Sequence, residues 1–524
     1  MKSAALSLIL LLTAAHAADP ALEPAPVIRQ LEERHLDSKR RFQGIPGIAC
    51  APKGRLWATW YAGGTTEGPE NFVLLNTSGD DGKTWSTPLF AIDPPGQVRA
   101  FDPCVWVDTK GRLWLFYAQS MTWFDGRGGV WAVRCDEPNQ ADAPWTAPFR
   151  IADGVMMNKP TVLRDGTWAL PVALWSKNAK KYPDLDKHRA TNLVASTDAG
   201  ATWQVRGGAN VGAARGCDEH LIVERRDGSL WTLIRTRHGI SETTSKDGGR
   251  TWSKVEKWSV EHPVARFFIR RLRSGNLLLV KHGPLAIRTG RALLTAYVSR
   301  DDGRTWGGGL LIDARSGVSY PDGCEAQDGT IRLIYDYHRT TDKEILMATF
   351  AEADALAGKD VSGKVRLRVL VNKATGGPDP TKFDYKPHTD GAPLLTGPGA
   401  ELKLGDRMRD APMRKNELLF TDRKYRLWKV PKALVGRSFV RCSIDRTAAI
   451  CTKSGIVFVA TPLKDRNRDS VTKELEKQGF VKARFPEFLA MLLVNGEGNL
   501  VTTYQKQVKE GERIAFGKWG LLIH

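Results

Sequence analysis

The chain has 524 residues, an apolar share of 42% and a formal net charge of +19. That length allows more than one domain, and beyond the N-terminus no stretch is long and apolar enough to cross a bilayer as a helix. The basic balance favours acidic partners such as an anionic oligo- or polysaccharide, but no nucleic-acid-binding motif accompanies it, and the seven cysteines follow no zinc-site spacing.

The opening MKSAALSLILLLTAAHAADP reads as a secretory signal over residues 1–17. Lys2 gives the positive start, a short apolar run follows, and Ala15-His16-Ala17 fits a small-x-small cleavage site. The expected location is therefore secreted or periplasmic. Residues 18–40 form an N-terminal segment ahead of the first repeat.

From residue 41 to residue 371 the chain repeats itself. GRLWATWYAG at Gly54 returns as GRLWLFYAQS, GTWALPVALW, GSLWTLIRTR, GNLLLVKHGP and GTIRLIYDYH at Gly111, Gly166, Gly228, Gly275 and Gly329. The spacings are 57, 55, 62, 47 and 54 residues. Each copy is a turn glycine followed by an apolar and aromatic strand signal, and six copies at this period predict a six-bladed β-propeller of four-stranded blades. A second motif falls between them in constant phase: SGDDGKTW, STDAGATW, SKDGGRTW and SRDDGRTW, ending at Trp85, Trp203, Trp252 and Trp306. APWTAP around Trp145 is a worn copy, and the sixth blade lacks one. Asp-Gly and Gly-Gly pairs suit tight turns, and Ser and Asp side chains bond backbone groups within them, so these octets read as structural turns and not as metal loops.

Residues 372–393 are rich in Gly, Pro and Asp and read as a linker. Residues 394–524 read as a small β-rich, sandwich-like accessory domain with one short helix at Ser470–Phe480. Much of the positive charge collects here: from Lys386 onward there are 26 Lys and Arg against 15 Asp and Glu. Such a surface suits anionic glycans, or belongs to a purely structural appendage.

Aligning the blades locates a site. Nine residues before the repeat glycine lie Ile45, Asp102, Glu219, Arg266 and Tyr320, with Lys159 as the shifted counterpart in the third blade. In a propeller these positions converge on the axis. So many charged and polar groups on one ring demand water or a polar ligand at the centre. His238, His262 and His282 read as packed or surface side chains.

On the S-x-D-x-G-x-T-W octets the chain resembles the sialidase-like, Asp-box (BNR-repeat) propellers, over roughly Arg41 to Thr349. The resemblance implies an all-β fold and an exo-glycoside hydrolase that removes a terminal acidic sugar of sialic or ulosonic type. The implied mechanism is retaining, with a Tyr/Glu pair and no metal or cofactor. CDEHLIVERRDGSLWTLIRT resembles the glutamate segment, which makes Glu219 the base and Arg235 a carboxylate-binding arginine. GRALLTAYVSRDDGRTW likewise implies Arg291 as another, and SYPDGCEAQDGTIRLIYDY implies Tyr320 as nucleophile. Two places depart from the family. Where it opens with Arg-Ile-Pro, FQGIPGI has Gly44, and Arg41 is offset to the other face of the strand. Arg266 or Lys159 is then expected to bring the missing charge. Where the family has an acid/base aspartate, AGGTTEGPENF offers Glu67 and Glu70, with Asp102 on the ring as a third candidate. Two other functions suit the same motifs: a polysaccharide lyase acting on uronic-acid glycans, and a glycan-binding propeller without catalysis.

Overall fold

The computed structural model describes residues 19–175, 182–377, 390–423, 425–444, 448–462, 471–484, 489–492, 498–517 and 519–524. The signal reading of residues 1–17, residues 378–389 of the expected linker and the expected helix cap Ser470 lie outside them. The chain divides into two compact units, Met1–Thr375 and Gly376–His524. No helix of the described residues is long and apolar enough to cross a membrane.

In the first unit the repeats form six antiparallel sheets, five of them meandering in chain order and the first adding an N-terminal strand beside its last one. Blade 1 comprises β1 (Val27–Ile28), β2 (Gln43–Cys50), β3 (Leu56–Ala62), β4 (Phe72–Ser78) and β5 (Phe90–Ile92). Blade 2 comprises β6 (Val98–Val107), β7 (Leu113–Met121), β8 (Gly129–Cys135) and β9 (Phe149–Ala152). Blade 3 comprises β10 (Thr161–Val162), β11 (Trp168–Ala173), β12 (Thr191–Ser196) and β13 (Gln204–Ala209). Blade 4 comprises β14 (His220–Glu224), β15 (Leu230–Thr236), β16 (Gly239–Ser245) and β17 (Glu256–Lys257). Blade 5 comprises β18 (Phe268–Arg271), β19 (Leu277–His282), β20 (Leu294–Ser299) and β21 (Gly307–Asp313). Blade 6 comprises β22 (Val318–Glu325), β23 (Thr330–Tyr337), β24 (Glu344–Ala351) and β25 (Arg366–Lys373).

The ring closes because β2 packs against both β6 and β22. Blade 1 has five strands where four are expected. Val27 and Ile28 pair with Ile92 and Ala91, so the N-terminal segment covers the open edge of β5. The same segment holds the seam to blade 6. The Arg40 side chain, with no exposed surface, donates to Asn372 Oδ1 at 2.7 Å, and Thr375 N–H donates to Asp37 O at 2.8 Å. The six repeat glycines turn the chain between the first two repeat strands of each blade with φ of 75–94°, a region where any other residue is strained.

The octets are hydrogen-bonded turns. In all four, the serine Oγ accepts from the glycine N–H four residues on, at 2.8–2.9 Å. The aspartate accepts from the threonine backbone N–H and hydroxyl. The octet tryptophans then pack between blades: Trp203 lies 6.2 Å from Trp114 of blade 2 and Trp306 lies 6.1 Å from Trp258 of blade 4. Trp145 of the worn copy does the same, 5.7 Å from Trp57 of blade 1. In blade 6 a short helix, α1 (Glu352–Ala357), follows β24 in place of the octet.

The second unit is β-rich. Gly455–Pro462 pairs with Gly498–Val508 and with Leu521–Ile523 in its largest sheet, and Ala448–Lys453 runs between Glu401–Lys403 and Arg513–Ala515 in a smaller one. Its apolar clusters centre on Leu419, Phe439 and Phe458, and on Val457, Val459 and Phe516. The short helix is Thr472–Lys477, and Gly479 at φ 80° turns the chain out of it.

Candidate active site

Three inner strands carry the same distortion. Ile45, Asp102 and Tyr320 have φ of 55°, 48° and 52°, each precedes a proline, and each lies at a register shift in the pairing of its strand. Left-handed backbone is costly for such residues, above all β-branched Ile45. A bulge re-aims the side chain it carries, and here it does so three times around one axis. Blade 4 makes the left-handed step at Asp218, with φ 50°, one residue before Glu219. Counting from the repeat glycine therefore finds the right blade end but misses this offset.

Tyr320 and Glu219 meet. The Tyr320 hydroxyl donates to Glu219 Oε1 at 2.9 Å, and Arg235 Nη1 donates to both, at 2.5 Å to Glu219 Oε1 and 2.8 Å to the Tyr320 oxygen. Only 6% of Tyr320 and 4% of Glu219 stay exposed. Burial pushes the phenol well above its ordinary range, so it rests as a neutral hydroxyl. Burial also works against the Glu219 carboxylate, but Arg235 and the phenol outweigh it and hold the carboxyl low. Glu219 is thus an ionised acceptor already bonded to the proton it would remove.

Cations surround this pair. Arg291 Cζ lies 5.5 Å from the Tyr320 ring centroid and its Nη1 donates to Ser319 Oγ at 3.0 Å. Arg339, from the loop after β23, lies closer, at 4.4 Å. Its Nε pairs with Asp336 Oδ2 at 3.0 Å and its Nη1 with Glu67 Oε1 at 3.2 Å. Sequence reasoning missed Arg339 and Asp336. Neither occupies the aligned ring position, and Arg339 sits in a loop where no repeat register applies. The nearest signal was GTIRLIYDYH, which ends one residue before Arg339. Asp102 completes the ring at 5% exposure. Burial, with Glu67 and Glu219 adding repulsion against Arg99 and Arg339, pushes its carboxyl up to about 8.

The remaining expected residues lie apart from the phenol. Lys159 is ion-paired with Asp322, and Arg266 Nη2 reaches the other oxygen of Asp322 at 3.4 Å. Arg266 also donates to Asn158 Oδ1 at 2.7 Å and to the Met157 carbonyl at 2.9 Å. Asp322 Oδ2 accepts from Ile48 N–H at 2.9 Å, so this buried network ties four blades together across the axis. Glu70 is exposed and lines a separate cavity with Arg34, Lys39 and Arg41. His262 and His282 are a buried pair, 3.3 Å apart between Nε2 and Nδ1, both kept neutral chiefly by burial, and His238 lies at the surface.

Four buried atoms of the upper cluster have no hydrogen-bond partner among the described residues: Glu219 Oε2, Arg235 Nε, Arg339 Nη2 and Asp336 Oδ1. Orphaned buried donors and acceptors at one place mark where a polar ligand or water belongs.

Known proteins share this framework. Residues 54–333 match the BNR repeat-like domain. A sialidase of Bacteroides fragilis is 25% identical over 349 residues, 57% of this chain and 60% of that protein, so the chain spans about 60% of the length of this curated relative. Solved structures similar to it include a Hadza microbial sialidase, at TM-score 0.46 and 22% identity over 56% of this chain and 63% of that one. Another is the intramolecular trans-sialidase from Ruminococcus gnavus, at TM-score 0.48 and 16% identity over 61% and 96%. With the repeat model matched over more than half its length, the chain belongs to the BNR repeat-like domain family and is a sialidase-like β-propeller protein.

Proposed function

We propose that this protein is an exported, retaining exo-glycoside hydrolase that removes a terminal acidic sugar of sialic or ulosonic type. One observation carries the reading: the Tyr320 hydroxyl donates to Glu219 while Arg235 donates to both, beneath two further guanidiniums. Export rests on the sequence of residues 1–17.

The chemistry follows from charge. The anomeric carbon of a 2-keto acid sugar bears a carboxylate, which repels an anionic nucleophile. A phenol stays neutral until a neighbouring carboxylate takes its proton. Glu219 takes that proton as the Tyr320 oxygen bonds to the anomeric carbon and the bond to the leaving oxygen breaks. Arg235 stabilises the phenolate that develops, and Arg235 and Arg291 hold the sugar carboxylate. Asp102, the carboxyl raised to about 8, protonates the leaving oxygen and then takes a proton from the water that releases the sugar. The Tyr320 oxygen leaves as the phenol, reprotonated by Glu219. Tyrosine nucleophiles are a known exception to two-carboxylate glycoside hydrolysis. The lyase reading pairs the phenol with a histidine or lysine as base, whereas the charged groups bonded to or stacked on Tyr320 are Glu219, Arg235, Arg291 and Arg339.

The test is a panel of sialosides, other ulosonic acid glycosides and uronic acid polymers, followed by reducing ends and near-ultraviolet absorbance together. Hydrolysis of an acidic glycoside is expected, and Glu219→Gln should lower turnover by about 10²- to 10⁴-fold. Unsaturated products, or full activity in Glu219→Gln, would reject the reading.

A further inference from the structure

We propose that Arg339 is a carboxylate-binding arginine of this site, and that position 44 is glycine to make room for it. The proposal rests on the acidic-sugar reading above and adds a residue to it.

Gly44 is the second residue of β2. A Cβ built there would lie 2.5 Å from Arg339 Cδ and 2.6 Å from its Cγ, far inside contact distance. Gly44 is not among the glycines with positive φ, so its backbone would accept any L-residue. What demands glycine is the space, and the aliphatic stem of Arg339 fills that space. A side chain at 44 and the observed place of Arg339 exclude each other. The charge expected from the start of β2 is thus delivered from the far side of the ring-closing seam, by blade 6.

Arg339 is held as a binding group should be. Asp336 Oδ2 accepts from its Nε and also from Ile45 N–H at 2.8 Å, and Asp336 has no exposed surface. The Arg339 carbonyl accepts from Gln43 N–H at 3.1 Å, and His338 before it adopts φ 45°, which turns the loop back over blade 1. Position is therefore fixed at both ends of the side chain, before any ligand arrives.

The donor inventory points the same way. Nε serves Asp336 and Nη1 serves Glu67, but Nη2 is buried with no partner, as is Nε of Arg235. Both guanidiniums face the Tyr320 ring, at 4.4 and 6.0 Å. An anion with two oxygens satisfies such donors as a bidentate pair. Like charge is also crowded here: burial and then Arg339 lower the proton affinity of Arg291, a strain that a bound carboxylate relieves.

The test is calorimetric titration of the full chain with N-acetylneuraminic acid and with its methyl ester. It uses wild type, Arg339→Lys and Gly44→Ala, with thermal melts to verify folding. Gly44→Ala keeps every charge and displaces Arg339 together with its partner Asp336, whose Oδ2 a Cβ would approach to 2.9 Å. Wild type should prefer the acid. Both variants should bind the acid about 10- to 100-fold more weakly and the ester unchanged. Undiminished preference for the acid in both folded variants would overturn the role of Arg339 and leave the proposed hydrolase standing. If wild type itself binds neither compound, or shows no preference for the acid, the acidic-sugar reading falls and this proposal with it.

Discussion

Lys159, Arg266 and Asp322 share an axis with Tyr320, Glu219 and Arg235, and both groups bury charge, yet they are built in opposite ways. Around Asp322 every strong donor finds an acceptor, with partners drawn from four blades. Around Tyr320 four buried polar atoms are left without one. A closed network rigidifies a ring of repeats, whereas buried donors and acceptors left open at one place can pair with the polar groups of a ligand. Buried charge alone therefore did not separate site from scaffold. Between these two groups the unfilled hydrogen-bond positions did, although such positions also occur elsewhere, at Trp60 Nε1 and Arg225 Nε among others.

Mutation should separate the two layers. The largest effect belongs to Tyr320→Phe, which should lower turnover about 10³-fold or more while the melting temperature barely moves. An active Tyr320→Phe protein would collapse the distinction from the catalytic side. Asp322→Ala should do the reverse. It strands two buried cations and should cost about 3–5 kcal/mol of stability, read by denaturant titration, at a site that makes no contact with the phenol. A stable Asp322→Ala protein with normal melting would show the lower layer to be dispensable.

Asp102 lies between these extremes. If it is the acid, kcat/KM should fall as pH rises through about 8. Asp102→Asn should abolish that limb and lower kcat/KM for poor leaving groups about 10²-fold, with little effect on kcat/KM for activated aryl glycosides that leave unaided. Stability gives a second handle. The folded value lies above the ordinary 3.8, so folding takes up a proton between them, and stability falls as pH rises toward about 8. Asp102→Asn should therefore melt higher than wild type, by a margin that widens from about pH 4 to pH 8. Smallest is Ser245→Ala in an octet. It removes the acceptor of the Gly249 N–H and should cost about 1 kcal/mol with no change in kcat.

Much of this was legible in the sequence because the blades repeat. Glycine spacing marked each turn, and the octets gave tight Ser–Asp–Thr turns with tryptophans between blades. The ring alignment led to Asp102, Glu219 and Tyr320. Repetition also set the limit of that reading. Arg339 and Asp336 have no counterparts in other blades, and a loop side chain can cross a seam without leaving a periodic trace. Asp322 stands two residues after Tyr320 and was passed over, so Lys159 and Arg266 read as suppliers of the missing charge when both pair with Asp322. The step at Asp218 stayed hidden because a single left-handed residue ahead of β14 leaves no trace in the spacing of the motifs. The fifth strand of blade 1 was unreadable too, since two residues, Val27 and Ile28, carry no pattern.

Blade 6 supplies both the phenol and Arg339, and its seam with blade 1 is the last to form as the polypeptide is synthesised from its N-terminus. A growing chain that has finished five blades owns Glu219, Arg235 and Arg291 but not Tyr320. The Tyr320–Glu219–Arg235 cluster is thereby withheld until the circle is complete. An unfinished or clipped copy lacks the buried Tyr320–Glu219 hydrogen bond, because the strand that shuts the ring and the phenol it carries arrive together.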